Sequence, residues 1–210
     1  MNMKDMTVTQ LCDLTASASP APGGGSISAM TGAYAAALVS MVAKLTVDKE
    51  GYEHTRDEMN VIHDEAELLR KDLLEDIQKD AESFDAFMVA LKLPKDTEEE
   101  KAIRRQAMQE GLKGASQMPL TVVKKCLRVQ ELAIRTVEIG NINTASDGMV
   151  GVLLGRAAAL GAVHLFAGGA ATRVHHVDEA VEEVAGVVGA GAGFGVVLDG
   201  EDGLGLVAEA

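Results

Sequence analysis

The stretch "ISAMTGAYAAALVSMVAKLTV", residues 27 to 47, limits what this chain can fold into more than any other. Its residues are apolar or small nearly all round a helical projection, and such a helix is stable only where other elements cover most of its sides. It is therefore expected to be the central helix of a bundle. Trp is absent and aromatic residues make up 3% of the 210, so the core must be built from Ala, Leu, Val, Ile and Met, which suits close helix packing. Ser26 reads as the N-cap. Ser28, Thr31, Ser40 and Lys44 interrupt the apolar run, and the opening "MNMKDMTVTQ" lacks an apolar signal core, so neither a transmembrane span nor a signal peptide is expected.

The remaining periodicity is also helical. "TVTQLCDLTAS" places Val8, Leu11 and Leu14 on one side of a short helix. From Glu53 to about Leu91, Ile62, Leu69, Leu73, Ile77, Phe84, Met88 and Leu91 recur at close to 3.5 residues, which predicts a long amphipathic helix. Pro94 interrupts it. Thr97 and Glu100 have capping-box spacing for a restart, another helix is expected after Pro119 and stops at Gly140, and "GNINTASDG" turns into "MVGVLLGRAAALGAV". With no alternating strand pattern before residue 165, the fold class is all-α, an antiparallel helical bundle with a buried small-residue central helix, as one domain over residues 1–188. Residues 177–188 can be helical. Gly189, Gly191, Gly193, Gly195, Gly200, Gly203 and Gly205 make the tail, 189–210, an expected irregular segment.

The formal net charge of -13 argues against a general nucleic-acid or anionic-membrane binder, so an anionic ligand would need a local cationic or amide-lined pocket. Cys12 and Cys126 lie far apart without CxxC or Cys/His ligand spacing, which reads as free thiols in a reducing cytoplasm and implies no structural metal. His54 and His63 fall in a charged helix and read as solvated, and the adjacent His175 and His176 are poorly spaced for joint metal ligation.

Three segments could carry chemistry. "SPAPGGGSISAM" sets Gly23, Gly24 and Gly25 at a helix entrance, where bare backbone N–H groups can meet a polar or anionic ligand, or where a tight turn simply lets two helices touch. In "DIQKDAESFDAF", Asp80 lies three and four residues from Ile77 and Phe84, close to the apolar stripe. Partial burial there would raise its pKa into a useful range for proton transfer. Asp76, Glu82 and Asp85 read as a solvated flank. In "GNINTASDG", Asn141, Asn143, Ser146 and Asp147 offer more amide and hydroxyl groups than capping of the neighbouring helices requires, which tilts the segment toward a site for a heterocyclic ligand.

Together, "APGGGS", "DAESFDAF" followed by "LKLPKDTEEEK", "QEGLKGASQMPL" and "GNINTASD" closely resemble the cyclodeaminase/cyclohydrolase family of folate enzymes, over roughly residues 8 to 163. That family includes the C-terminal domain of formiminotransferase-cyclodeaminase and stand-alone methenyltetrahydrofolate cyclohydrolases, and "LVSMVAKLTVDKEGY" is more similar to the latter. The resemblance implies a dimerising all-helical bundle, an essential Asp80, and a folate site that includes Gly23, Gly24, Gly25 and Ser26 together with Asn141, Asn143, Ser146 and Asp147. It implies a cyclohydrolase acting on 5,10-methenyltetrahydrofolate, or a cyclodeaminase releasing ammonia from the 5-formimino substrate. Either would be a cytoplasmic homodimer without metal or further cofactor. One departure stands out: family members usually continue with an "NV-IN" pattern where this chain has "AVHLFAGGAATRVHHV". A divergent tail and a reading-frame change near residues 163 to 165 both fit, and an inactive helical dimer serving as an interaction module is the alternative they raise.

Overall fold

The computed structural model describes residues 2–170, 194–199 and 203–208, with side-chain surroundings through residue 165. Among the described residues, five α-helices carry the fold: α1 (Val8–Thr15), α2 (Gly24–Val47), α3 (Arg56–Leu91), α4 (Glu98–Ile139) and α5 (Ala145–Ala170). The small-residue helix α2 is central. It packs against α3, α4 and α5, and α4 also packs on both α3 and α5. Ala29, Ala33, Ala36, Val39 and Ala43 of α2 meet Leu73 and Ile77 of α3, Val122, Cys126 and Val129 of α4, and Ala158, Ala159 and Ala162 of α5 in one core. A methyl group added at Gly32 would lie 2.6 Å from Cys126 Sγ, so α2 and α4 approach more closely there than any side chain at residue 32 allows. Both α2 and the stretch Ile142–Leu165 have the length and apolar character of a membrane span. In α2 that character is spent on the bundle, which buries most of it.

Capping boxes start two of the helices. Thr7 and Gln10 form a capping box on α1, and Thr97 and Glu100 form the expected one on α4. Helix α2 is different. It begins at Gly24 with Gly23 as a cap lacking any side-chain hydrogen bond, so Ser26 lies inside the first turn and is not the N-cap. Its hydroxyl has another partner.

Helix α4 corrects a second expectation by running unbroken through Pro119. Proline inside a helix costs roughly 3 kcal/mol because it removes an N–H and crowds the preceding turn. Burial of Pro119 itself and of Val122, Val123 and Cys126 beyond it holds the helix together. Ala115, four residues back, is left with a carbonyl that lacks its helical donor.

Ion pairs tie α3 to α4 along their antiparallel contact. Arg135 makes a two-pronged contact with Glu58, and Arg128 does the same with Glu65 one heptad further on. Asp76 was expected to be solvated but is 1% exposed. Its Oδ2 lies 2.6 Å from Lys125 Nζ and its Oδ1 3.1 Å from Lys79 Nζ. The reason lies in the stripe: Asp76 follows Leu73 by three residues and precedes Ile77, so it shares their buried face. His63 also departs from the solvated reading, being half-buried with Nδ1 2.9 Å from Ser40 Oγ.

The tail is not irregular throughout. β1 (Phe194–Asp199) pairs antiparallel with β2 (Gly203–Ala208), from Phe194 opposite Ala208 to Asp199 opposite Gly203. Val196, Val197 and Val207 favour extended backbone. The expected helix at 177–188, the domain limit at 188, His175 and His176 lie outside the described residues.

Candidate active site

The first turn of α2 and the middle of α3 meet at Asp80. Ser26 Oγ lies 2.9 Å from Asp80 Oδ2 and 3.0 Å from the Ile77 carbonyl oxygen, and the Ser26 backbone N–H also points to the carboxylate. Asp80 therefore does for the N-terminus of α2 what a capping side chain does elsewhere, from a different helix. Gly25 makes this possible, because a Cβ on residue 25 would collide with the carboxylate.

Asp80 faces opposing influences. Burial pushes its pKa up, while the Ser26 hydroxyl and N–H, which favour the ionised form, pull it down less strongly. The net shift is upward. The Ser26 hydroxyl suits either charge state: it donates to the carboxylate when Asp80 is ionised. When Asp80 is protonated it can accept from the acid while turning its own proton to the Ile77 carbonyl. A group so placed can take up and return a proton without leaving an unpaired polar atom.

Asp80 opens onto a cleft of about 380 Å³. The glycine loop, Gly23 to Gly25, forms one wall, and Phe84, Phe87, Leu112, Pro119 and Leu165 give the others an apolar surface. Among the residues lining it, Asp80 is the one charged group. The cleft can hold a flat, largely apolar ring system with its reacting atom at the carboxylate.

The other sequence-derived residues lie elsewhere. The Asn141 N–H donates to Thr46 Oγ1 at 2.9 Å, its Nδ2 donates to the Leu45 carbonyl at 3.2 Å, and its Oδ1 accepts from the Asn143 N–H at 3.1 Å. The turn is thus docked on the C-terminal end of α2, about 30 Å along that helix from Gly25. Asn143 and Ser146 are exposed and Asp147 is half-buried in the first turn of α5. Within one chain, the structure gathers Gly23, Gly24, Gly25, Ser26 and Asp80, and leaves Asn141, Asn143, Ser146 and Asp147 apart from them. Phe84, Phe87, Leu112 and Pro119 were not singled out from sequence as site residues. Their signal was present, since Phe84 and Phe87 follow Asp80 by one and two turns on α3.

A family model, Formiminotransferase-cyclodeaminase, matches residues 7–166. The chain belongs to this family. The match ends at Phe166, within the segment "AVHLFAGGAATRVHHV". Within the family, the chain is 44% identical over 147 residues to the methenyltetrahydrofolate cyclohydrolase of Methylorubrum extorquens AM1, covering 70% of this chain and 71% of that protein. It is 39% identical over 135 residues to the formimidoyltransferase-cyclodeaminase of Sus scrofa, covering 62% of this chain. That match spans 24% of the longer pig protein, about a quarter of its length. The fold resembles the crystal structure of formiminotetrahydrofolate cyclodeaminase from Thermotoga maritima with a TM-score of 0.78 at 28% identity, covering 90% of this chain and 92% of the other.

Proposed function

We propose that this member of the formiminotransferase-cyclodeaminase family is a methenyltetrahydrofolate cyclohydrolase, converting 5,10-methenyltetrahydrofolate and water to 10-formyltetrahydrofolate. The observation that carries the reading is the half-buried Asp80 carboxylate, held by Ser26 at the open end of an apolar cleft with its pKa raised. The substrate's methenyl carbon bridges N5 and N10 as a cation, which a carboxylate attracts electrostatically. Asp80 removes a proton from the attacking water as its oxygen bonds to that carbon, giving a tetrahedral adduct. The adduct then collapses: the bond to N5 breaks, N5 takes a proton from Asp80, and the hydroxyl loses its proton as the N10 formyl group forms. One proton is released overall. Acid–base chemistry by one carboxylate is sufficient for these steps, so we propose no metal and no cofactor besides the folate substrate.

Cyclodeamination is the second reading, supported by the fold match to the Thermotoga maritima cyclodeaminase. There N10 attacks the formimino carbon and ammonia leaves, with Asp80 moving the protons. A paired assay separates the two. Loss of the methenyl absorbance on adding enzyme, with no ammonia from 5-formiminotetrahydrofolate, is the expected result. Folded protein that leaves the methenyl signal unchanged at high concentration removes the cyclohydrolase reading, and ammonia release in that case establishes the other. No turnover of either substrate leaves the inactive interaction module.

We further propose a cytoplasmic homodimer. The 141–147 turn is about 30 Å from Asp80 in its own chain, so Asn143, Ser146 and Asp147 can serve the folate site only from a second copy. Sedimentation at assay concentration and mixing of Asp80→Asn with Asn143→Ala protein test this. Recovery of activity on mixing supports a shared site, and an active monomer overturns it.

A further inference from the structure

The buried Pro119 leaves one backbone acceptor unused inside helix α4. Ala115 and Pro119 are one turn apart, and both line the cleft that holds Asp80. A helical carbonyl points toward the nitrogen four residues on, and the Pro119 ring crowds that direction, so the Ala115 carbonyl is turned aside on the face of α4 that forms the cleft wall. Nearby hydroxyls do not fill it. Ser116 Oγ donates to the Leu112 carbonyl at 2.8 Å and Thr121 Oγ1 to the Gln117 carbonyl at 3.1 Å.

This matters because the cleft offers few side-chain acceptors. Asp80 is the sole acid among the lining residues, and the hydrolysis assigns it to the methenyl carbon. Ser83, the sole hydroxyl there, donates to the Asp80 carbonyl at 2.8 Å. A pterin ring has a pyrimidine edge on which a lactam N–H stands beside an amino group, and burial of that edge demands acceptors. In the methenyl substrate N10 bears no hydrogen, so the aromatic end nearest the bridge offers no N–H. Resting on the folate reading above, we propose that the Ala115 carbonyl, freed by Pro119, accepts a hydrogen bond from the pyrimidine edge of the pterin, which makes Pro119 a specificity-determining residue of the cleft.

Pro119→Ala and Pro119→Ser both restore an N–H at residue 119 and let it re-pair with Ala115. Two fragments serve as competitive inhibitors: 6-methyltetrahydropterin and p-aminobenzoylglutamate. The expected result in both variants is a rise of roughly three- to tenfold in the inhibition constant of the pterin, with that of p-aminobenzoylglutamate unchanged. KM for the methenyl substrate rises by more than kcat falls, and Tm does not fall, because the helix regains a hydrogen bond. Equal weakening of both fragments, weakening of neither, or a fall in Tm that accompanies the loss of binding overturns the assignment to the carbonyl. Wild-type protein that binds neither fragment removes the folate reading itself, and this assignment with it.

Discussion

The carboxylate of Asp80 occupies the place that a side chain on Gly25 would fill. Two helices that start 32 residues apart in sequence, at Gly24 and Arg56, are thereby joined through an absent methyl group and a charged side chain. Gly25→Ala is the smallest change that breaks this relation. The added methyl pushes the carboxylate off the Ser26 donors, and displacement of a reacting group by about 1 Å can cost around 10²-fold in rate. We expect a loss of that order in kcat, with the helical circular dichroism spectrum retained. A rate within a few-fold of wild type would show that Asp80 acts from another position.

Asp80→Asn keeps the size of the side chain and removes the base. Turnover is expected to fall by about 10²- to 10⁴-fold with folate affinity little changed. Asp85→Asn, an exposed position on the same helix, is the control and should stay near wild type. Stability moves the other way. Because the native pKa of Asp80 is raised, the folded state favours its protonated form. Its stabilising effect is greatest below the unfolded value and is lost as pH climbs through the native one. At pH 7 the Asn variant should therefore melt no lower than wild type, and any advantage should close as the pH is taken down toward about 4.

Ser26→Ala tests the hydrogen bond without touching the carboxylate. The Ser26 hydroxyl lowers the pKa of Asp80 against the effect of burial, so its removal raises that pKa further. The acid limb of the kcat/KM profile should move to higher pH. A limb that stays in place would mean that the group titrating in the profile is not Asp80.

Asp76→Asn separates structure from chemistry on the same helix. Removing one member of a buried ion pair leaves Lys125, 19% exposed, without its closest partner, at a cost of about 3 kcal/mol. For a chain of this size that corresponds to a fall in Tm of roughly 6–12 °C. The acid limb of the rate profile should not move, and denaturation followed by circular dichroism measures the loss.

The bundle was legible because its signals are local. The 3.5-residue recurrence on α3, the Thr97–Glu100 box and the small residues of α2 each predict a helix without reference to any other part of the chain. What sequence could not place were features decided by a neighbouring helix. Ser26 looks like a cap in the one-dimensional string, but an aspartate from α3 takes that role. Asp76 looks like one of several flanking acids until Lys125 comes to meet it. Pro119 looks like a boundary because its cost is local, whereas the burial that offsets it is not. The glycine loop and Asp80 were both visible as candidates, yet only the fold puts Gly25 against the carboxylate. The fold likewise sets the 141–147 turn on the far end of α2.

The ion pairs between α3 and α4 also act as an alignment check. Two long amphipathic helices of 36 and 42 residues can meet in more than one alignment, because an apolar stripe looks much the same one turn away. The exposed Glu58–Arg135 and Glu65–Arg128 pairs add little stability by themselves. After a slip of one turn, however, both lose their partners together, and Asp76 is buried without Lys125. Misaligned chains thus leave the buried Asp76 with only the largely exposed Lys79 of its own helix, which sets them apart energetically from the one alignment that puts Asp80 across the cleft from Pro119.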